Sequence, residues 1–130
     1  MKLRASLALS VLAAAALAIS PPLAAAITRD ERQGIKAAIH KLADPAVACS
    51  RLTQRFLKMT YGADGPKGRK RCRRQVRHQL KVEPNVGLKK MRIVDATEDT
   101  ARVRVVDTDG DHAVFILVKS PRGWLLDDAF

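Results

Sequence analysis

The stretch TARVRVVDTDGDHAVFILVKSPRGWLLDDA, residues 100–129, decides the fold. Charged and apolar residues alternate from Thr100 to Thr108, and β-branched and aromatic residues dominate from Asp111 to Lys119. Period-two alternation is typical of strands, and Asp109-Gly110 between two such runs predicts a two-residue hairpin turn. An antiparallel meander follows, and its four predicted strands are 88–95, 100–108, 111–119 and 124–129.

The predicted turn also fixes which residues face each other across the second and third strands. It places Val103 opposite Ile116 and Val105 opposite Val114, so that one face of the hairpin is wholly apolar. The opposite, mixed face then carries Arg102, Arg104, Val106, Phe115 and Leu117. Because Phe115, Leu117 and Val106 are apolar, this mixed face is a candidate homodimer interface through the sheet; the alternative is that Arg102 and Arg104 cover these residues with the aliphatic parts of their side chains.

Upstream of the strands, apolar residues recur at helical spacing, and we predict helices over about 29–82. Thr28 and Glu31 have the spacing of a capping box at the start of the first helix. Asp44-Pro45 predicts a second helix, with Asp as N-cap and Pro at the first helical position. Gly62 ends it, and residues 62–66 form a loop.

One apolar stripe on the second helix has a residue every three or four positions, which favours the core and also allows a pocket lining. Its members are Cys49, Leu52, Phe56 and Met59. Trp124 has the same two interpretations, and a core position is the more common one for tryptophan. A third helix carries Cys72, Val76 and Leu80 on one face. Helices followed by a meander predict an α+β domain, with the helices packed on one sheet face.

Residues 1–26 have the three zones of a cleavable signal peptide. Lys2 and Arg4 precede the apolar run Ala5 to Ile19, and Ala24 to Ala26 provide small residues for cleavage. The run of about 15 residues is shorter than the roughly 20 needed to span a bilayer. We therefore expect export and an extracytoplasmic location, with residues 27–130 forming a single domain.

Cys49 and Cys72 are the two cysteines of the chain. In an oxidising compartment an even count predicts a disulfide, and two cysteines allow one pairing. Zinc normally takes four ligands, and the three histidines show no ligand spacing with the cysteines. We expect no metal site and no cofactor.

The chain is strongly basic, with a formal net charge of +11, and its cations are most concentrated between Asp64 and Glu83. No acidic residue interrupts that segment. We predict an anion-binding surface there, suited to cell-envelope polymers or lipid headgroups, against the alternative of an ordinary solvated face. Nucleic acid is disfavoured because aromatic residues for base stacking are lacking. The segment contains Lys67, Arg69, Lys70, Arg71, Arg73, Arg74, Arg77 and Lys81.

The order of helices and strands, together with the run Arg122-Gly123-Trp124-Leu125-Leu126-Asp127, resembles small secreted bacterial proteins of the nuclear transport factor 2-like superfamily. The resemblance covers residues 29–130 and implies a cone, in which a curved sheet wraps the helices around a pocket. It also implies either a binding or scaffold domain or a small enzyme, because the superfamily contains both.

We expect a non-catalytic binding domain. The alternative is a small lyase, isomerase or hydrolase that uses Asp128. Strand alternation from Trp124 places Asp128 on the apolar face, where burial would raise the pKa of its carboxyl group and suit it to acid/base chemistry.

Overall fold

Three helices and a short 3-10 turn precede four strands in the computed structural model, which describes residues 27–130. The predicted signal peptide, residues 1–26, lies outside these residues. The helices are α1 (Arg29–Ala43), α2 (Gln54–Tyr61) and α3 (Gly65–Val82), and the 3-10 turn spans Ala48–Arg51. The strands are β1 (Leu88–Ala96), β2 (Thr100–Asp107), β3 (His112–Ser120) and β4 (Gly123–Ala129).

The strands form one antiparallel sheet in the order β1-β2-β3-β4, which confirms the predicted meander and the α+β class. α1, α2 and the 3-10 turn pack against β4, and α1 also contacts β1. Within residues 27–130, every helix is too short or too polar to cross a membrane.

α1 begins where the sequence predicts. The Thr28 hydroxyl accepts a hydrogen bond from the Glu31 backbone N–H at 3.1 Å, as an N-cap does. The Glu31 carboxylate, however, forms an ion pair with Lys119 at 3.6 Å. Ile35 and Ile39 are buried at helical spacing and direct one face of α1 into the core.

The prediction of one continuous second helix is wrong. The side chain of Asp44 accepts a hydrogen bond from the Ala46 N–H, but only a 3-10 turn follows, and the chain extends at Leu52 before α2 begins. Leu52 pairs with Leu126 of β4 in an isolated parallel bridge, where the N–H of the next residue, Thr53, donates to the Leu126 carbonyl at 2.9 Å rather than to a helix. The break shifts the helical phase, which buries Leu57 and leaves Met59 61% exposed.

The core lies between the helices and the inner face of the sheet. Ala101, Val103 and Val105 of β2 are buried there, as predicted from alternation. Trp124 and Leu126 of β4 join them under α1 and the 3-10 turn. At the crossing of α1 and Trp124, a Cβ on Gly34 would sit 3.5 Å from the indole nitrogen, so a small residue allows this close approach.

The turn between β2 and β3 is one residue longer than predicted. Thr108, Asp109 and Gly110 form the loop, and Asp107 exchanges backbone hydrogen bonds with Gly110 and Asp111. Asp107 Oδ1 accepts two further bonds, from the N–H groups of Asp109 and Asp111, at 2.9 Å each. Of these loop residues only Gly110 has positive φ, at 87°, whereas a type I′ turn would need it at Asp109 too.

This extra residue shifts the register by one and exchanges the faces of β3. Val103 lies opposite Phe115, and Arg102 lies opposite Ile116. Phe115 and Leu117 therefore face the helices, and Leu117 is fully buried. The predicted homodimer surface is wrong in its composition, because two of its three apolar residues belong to the inner face. The apolar residues that β3 contributes to the outer face are Val114, Ile116 and Val118.

Candidate anion-binding surface

α3 is a continuous helix that takes up the whole basic segment. The predicted loop ends early, because the helix begins at Gly65, whose N–H donates to Gln54 Oε1 at 2.6 Å. Pro66 occupies the first turn, where its missing N–H has no intrahelical acceptor. Lys67, Arg69 and Lys70 belong to this helix, so the cations are held at fixed angular positions.

Three further contacts hold α3 against the rest of the chain. The predicted disulfide between Cys49 and Cys72 joins it to the 3-10 turn, with the two Cα atoms 5.8 Å apart. Gly68 is buried, and a Cβ at this position would clash with the backbone carbonyl of Ala63. Arg71 donates a 2.9 Å hydrogen bond to the Tyr61 carbonyl at the end of α2. α3 therefore packs mainly on α2 and the 3-10 turn.

The eight predicted cations divide into two groups. Arg69 and Arg71 are half-buried, and Arg71 donates a hydrogen bond to the end of α2. The other six are exposed on the side of α3 away from Gly68 and Cys72, because at about 100° per residue they fall within one sector of the helix. We name these six residues the basic face: Lys67, Lys70, Arg73, Arg74, Arg77 and Lys81.

Nothing in the described part of the chain neutralises the basic face. Its side chains take part in no hydrogen bond or ion pair among residues 27–130, where the two ion pairs join Arg55 to Asp127 and Lys119 to Glu31. The arrangement leaves these ammonium and guanidinium groups free to contact anions from solvent. Guanidinium groups suit phosphate and carboxylate ligands especially, because they can donate two parallel hydrogen bonds.

One edge of the basic face borders an apolar depression. Pro45, Val76, Arg73 and Arg77 are among the residues that line it, and its volume is about 450 Å³. Leu80 lies in the same depression and is 39% exposed. The predictions about cations from the sequence missed this combination, although the stripe of Cys72, Val76 and Leu80 was a signal of it.

The residues predicted as a core or pocket lining separate in the structure. Leu52 and Trp124 are buried core residues, and Phe56 packs against the core while remaining partly exposed. Met59 belongs to neither a core nor a pocket, because the break at Leu52 turns it toward solvent. These residues are thus not brought together around a cavity.

Asp128 does not lie on the apolar face. β4 carries a bulge at Asp127, so Leu126 pairs with Leu117 but Asp128 pairs with Ile116 on the outer face. The extra residue reverses the alternation that predicted burial of Asp128. Its Oδ1 accepts a hydrogen bond from the adjacent Ala129 N–H at 2.9 Å. No group of three or more His, Cys, Asp or Glu side chains in residues 27–130 is arranged to hold a metal ion.

Comparison with known proteins finds no family model, no curated protein and no solved structure that matches this chain.

Proposed function

We propose that this protein is an exported, non-catalytic binding domain whose basic face binds anionic partners in the cell envelope. The observation that carries the proposal is the display of six exposed cations on one helix, with no acidic residue between Asp64 and Glu83. Like charges four residues apart, such as Arg73 and Arg77, disfavour a helix slightly. A ligand that neutralises them removes this repulsion when it binds.

The rigid attachment of α3 supports binding at a defined surface. The bond between Cys49 and Cys72 and the contact of Gly68 with Ala63 hold the opposite side of the helix. The cations therefore lie on an ordered helix, and binding orders little backbone. The protein therefore avoids the entropy cost of ordering its backbone on binding, which favours affinity.

Export is part of the same proposal. A disulfide persists in oxidising compartments, so the bond between Cys49 and Cys72 is compatible with an extracytoplasmic location. The predicted signal peptide, residues 1–26, would direct the chain there. N-terminal sequencing of secreted protein should begin at Ile27, and a secreted chain that retains Met1 would contradict cleavage.

We also propose that the fold is a short variant of the nuclear transport factor 2-like cone. Two features support it: the helices precede an antiparallel meander, and bulges interrupt the pairing of β1 with β2 and of β3 with β4. Bulges bend and twist strands, as a cone requires. A crystal structure with a flat sheet would contradict this assignment.

The test of the binding function uses residues 27–130 with the disulfide intact and two probes. The probes are soluble polyphosphate and vesicles of equal parts phosphatidylglycerol and phosphatidylcholine. Both should bind, and affinity should fall steeply with added salt because exposed charges are screened within about 8 Å at 0.15 M. The variant R73Q/R74Q/R77Q should lose at least about tenfold in affinity for both probes.

The matched control is R102Q/R104Q/R122Q, which removes three exposed arginines elsewhere. It should lose much less affinity, since it leaves the basic face intact. Equal losses in the two triple variants would show that net charge alone governs binding. Failure of the unmodified domain to bind either probe would refute the proposed function.

A further inference from the structure

The outer face of the sheet carries apolar side chains that lie outside the core. Val114, Ile116 and Val118 alternate along β3, and none of them belongs to the hydrophobic core that residues 27–130 form between the helices and the sheet. Phe130 extends β4, because it exchanges backbone hydrogen bonds with Val114 at 2.7 and 3.0 Å, and it is 71% exposed. An exposed phenylalanine beside a row of β-branched residues indicates an interaction surface.

Arginines flank this apolar row on one side, and an acidic and an aromatic residue flank it on the other. The arginines belong to β2, and the acidic and aromatic residues belong to β4 and its extension. Because antiparallel neighbours lie directly opposite each other on one face, the pairing gives two consecutive rungs across the outer face. Read from β2 to β4, these rungs are Arg102–Ile116–Asp128 and Arg104–Val114–Phe130.

The charged groups of these rungs form no ion pair among residues 27–130. Arg102 and Arg104 are exposed, and Asp95 of β1 is the cross-strand neighbour of Arg102 without pairing with it. Asp128 accepts the Ala129 N–H at Oδ1. The two guanidinium groups and Asp128 Oδ2 are therefore available to groups on another molecule.

A second copy of the chain offers complementary partners at both rungs. If two outer faces meet about a two-fold axis that runs along β3, the axis places β2 of one copy over β4 of the other. Arg102 then faces the partner's Asp128, and Arg104 faces the partner's Phe130, whose ring attracts a cation to its face. Packed sheets lie about 10 Å apart, a distance that an arginine and an aspartate side chain span together.

Charge selects this axis over the alternative one. A two-fold axis perpendicular to the strands would place β2 over β2, so that the arginines of the two copies would repel each other. With the axis along β3, Val114, Ile116 and Val118 meet their own counterparts, and removal of this apolar area from water drives association. We propose that the outer face binds a second copy of the chain in this way, as a homodimer with two ion pairs between Arg102 and the partner's Asp128.

The dimensions of the outer face set the strength of this dimer. The four strands, at a spacing of about 4.8 Å, and residues 112–118 along β3 give a face of about 20 by 20 Å. Such a face is at the small end of specific protein interfaces. We therefore expect a dissociation constant on the order of tens of micromolar.

The test is sedimentation equilibrium of residues 27–130 with the disulfide intact, between about 5 and about 300 µM, on both sides of the expected constant. The unmodified domain should pass from monomer to dimer over this range. R102D and D128R should each weaken the dimer by about tenfold or more, because like charges then face each other across the contact. R122D is the matched control: it makes the same charge change as R102D in an exposed turn and should dimerise like the unmodified domain.

Mixing the two variants tests the arrangement of the dimer. A dimer of R102D with itself, or of D128R with itself, has like charges at both contacts. A dimer of one R102D chain with one D128R chain has opposite charges at both contacts, so the mixture should associate about as tightly as the unmodified domain. An unmodified domain that stays monomeric at every concentration, or a mixture that does not associate, would overturn the inference.

Phe130→Gln gives a second test that leaves the charges unchanged. It should weaken the dimer several-fold, because it removes exposed apolar area and the contact with Arg104. Met59→Gln is the control, since Met59 is 61% exposed on α2 rather than on the sheet. Equal dimer affinity in Phe130→Gln and the unmodified domain would also overturn the inference.

This dimer and the proposed function can fail separately, because the outer face and the basic face share no residue. The helices pack on the inner face, so both basic faces stay exposed in the dimer. R102Q/R104Q/R122Q lacks two arginines of the outer face, so its affinity for polyphosphate is measured below about 1 µM protein, where the unmodified domain is also monomeric. A strictly monomeric domain that binds polyphosphate would refute the dimer alone, and a dimer that binds neither probe would refute the proposed function alone.

Discussion

Thr53 donates a 2.8 Å hydrogen bond from its hydroxyl to Oδ1 of Asp127, which joins the start of α2 to the bulge in β4. The same hydroxyl accepts the Phe56 N–H at 3.1 Å, and the Thr53 backbone N–H donates to the Leu126 carbonyl at 2.9 Å. Arg55 donates to the Asp127 carbonyl and to its Oδ2. One threonine therefore caps a helix and connects it to the sheet.

Thr53→Val should lower the free energy of unfolding by about 2 kcal/mol. The change keeps the shape of the side chain but removes an N-cap, worth about 1 kcal/mol, and a hydrogen bond to a part-buried carboxylate. Urea unfolding measures the loss. Thr60→Val on the exposed side of α2 is the control and should change stability by less than about 0.5 kcal/mol. Equal effects would mean that the Thr53 link contributes nothing.

This link explains why the second helix could not be predicted correctly. Helical spacing of apolar residues runs unbroken from Cys49 to Met59 in the sequence. The break at Leu52 depends on a partner in β4, far along the chain, whose carbonyl accepts the Thr53 N–H. Local periodicity carries no information about such a partner, so tertiary hydrogen bonding overrode it.

The hairpin of β2 and β3 was also predicted only in part, although here the residues that decide the outcome are close in sequence. Alternation correctly predicted the strands and the buried face of β2, including Val103. The register failed because the Asp107 side chain supports a three-residue loop by accepting hydrogen bonds from Asp109 and Asp111. The concentration of cations between Asp64 and Glu83 is a property of the sequence alone, so neither error affects it, and anion binding there stays a prediction. The angular positions of these cations around the helix could not be assigned from the sequence, because they depend on α3 beginning at Gly65.

Leu117→Ala should destabilise the domain by about 2–5 kcal/mol, and Ile116→Ala by clearly less. Leu117 is fully buried on the inner face, whereas Ile116 lies on the outer face opposite Arg102. The two-residue turn predicts the reverse order, so the pair of variants decides the register. Thermal or urea unfolding is sufficient, and a larger loss for Ile116→Ala would contradict the observed pairing.

Gly68→Ala should destabilise the protein, although alanine ordinarily favours a helix over glycine by about 1 kcal/mol. The added Cβ would clash with the Ala63 carbonyl and press on Leu57, so α3 must move away from α2. Gly87→Ala is the control, because no atom lies within 4 Å of a Cβ there. Melting temperatures should fall for the first variant and hold or rise for the second. A rise in melting temperature for both variants would show that α3 can move away from α2 with no loss of stability.

Tyr61 should titrate above its ordinary value, because burial raises the pKa of its hydroxyl from 10.0. Absorbance at high pH reports this group alone, since the chain has one tyrosine. In denaturant the midpoint should return to about 10. The raised pKa contributes stability that is fully present below the unfolded value and is lost as pH rises through the folded one. Identical midpoints in the folded and unfolded protein would contradict burial of the ring.

Loss of the disulfide should release α3 before the rest of the domain unfolds. The bond joins residues 23 positions apart, and in the chain-entropy model such a loop is worth about 3 kcal/mol. The buried residues of α3 are Gly68 and Cys72, so apolar burial contributes little to holding this helix. C49S/C72S should therefore remain folded in its sheet but carry a loosely attached α3.

Trypsin tests this release because the basic face is also a row of cleavage sites. In C49S/C72S, brief digestion should cut first after Arg73, Arg74 and Arg77, and only later after Lys89 and Arg92 in β1. The oxidised domain should resist cleavage at both places, since a protease needs locally unfolded chain. Cleavage in α3 and β1 at the same rate would mean that the domain opens as a whole. In that case the disulfide stabilises the entire fold rather than the position of the basic face.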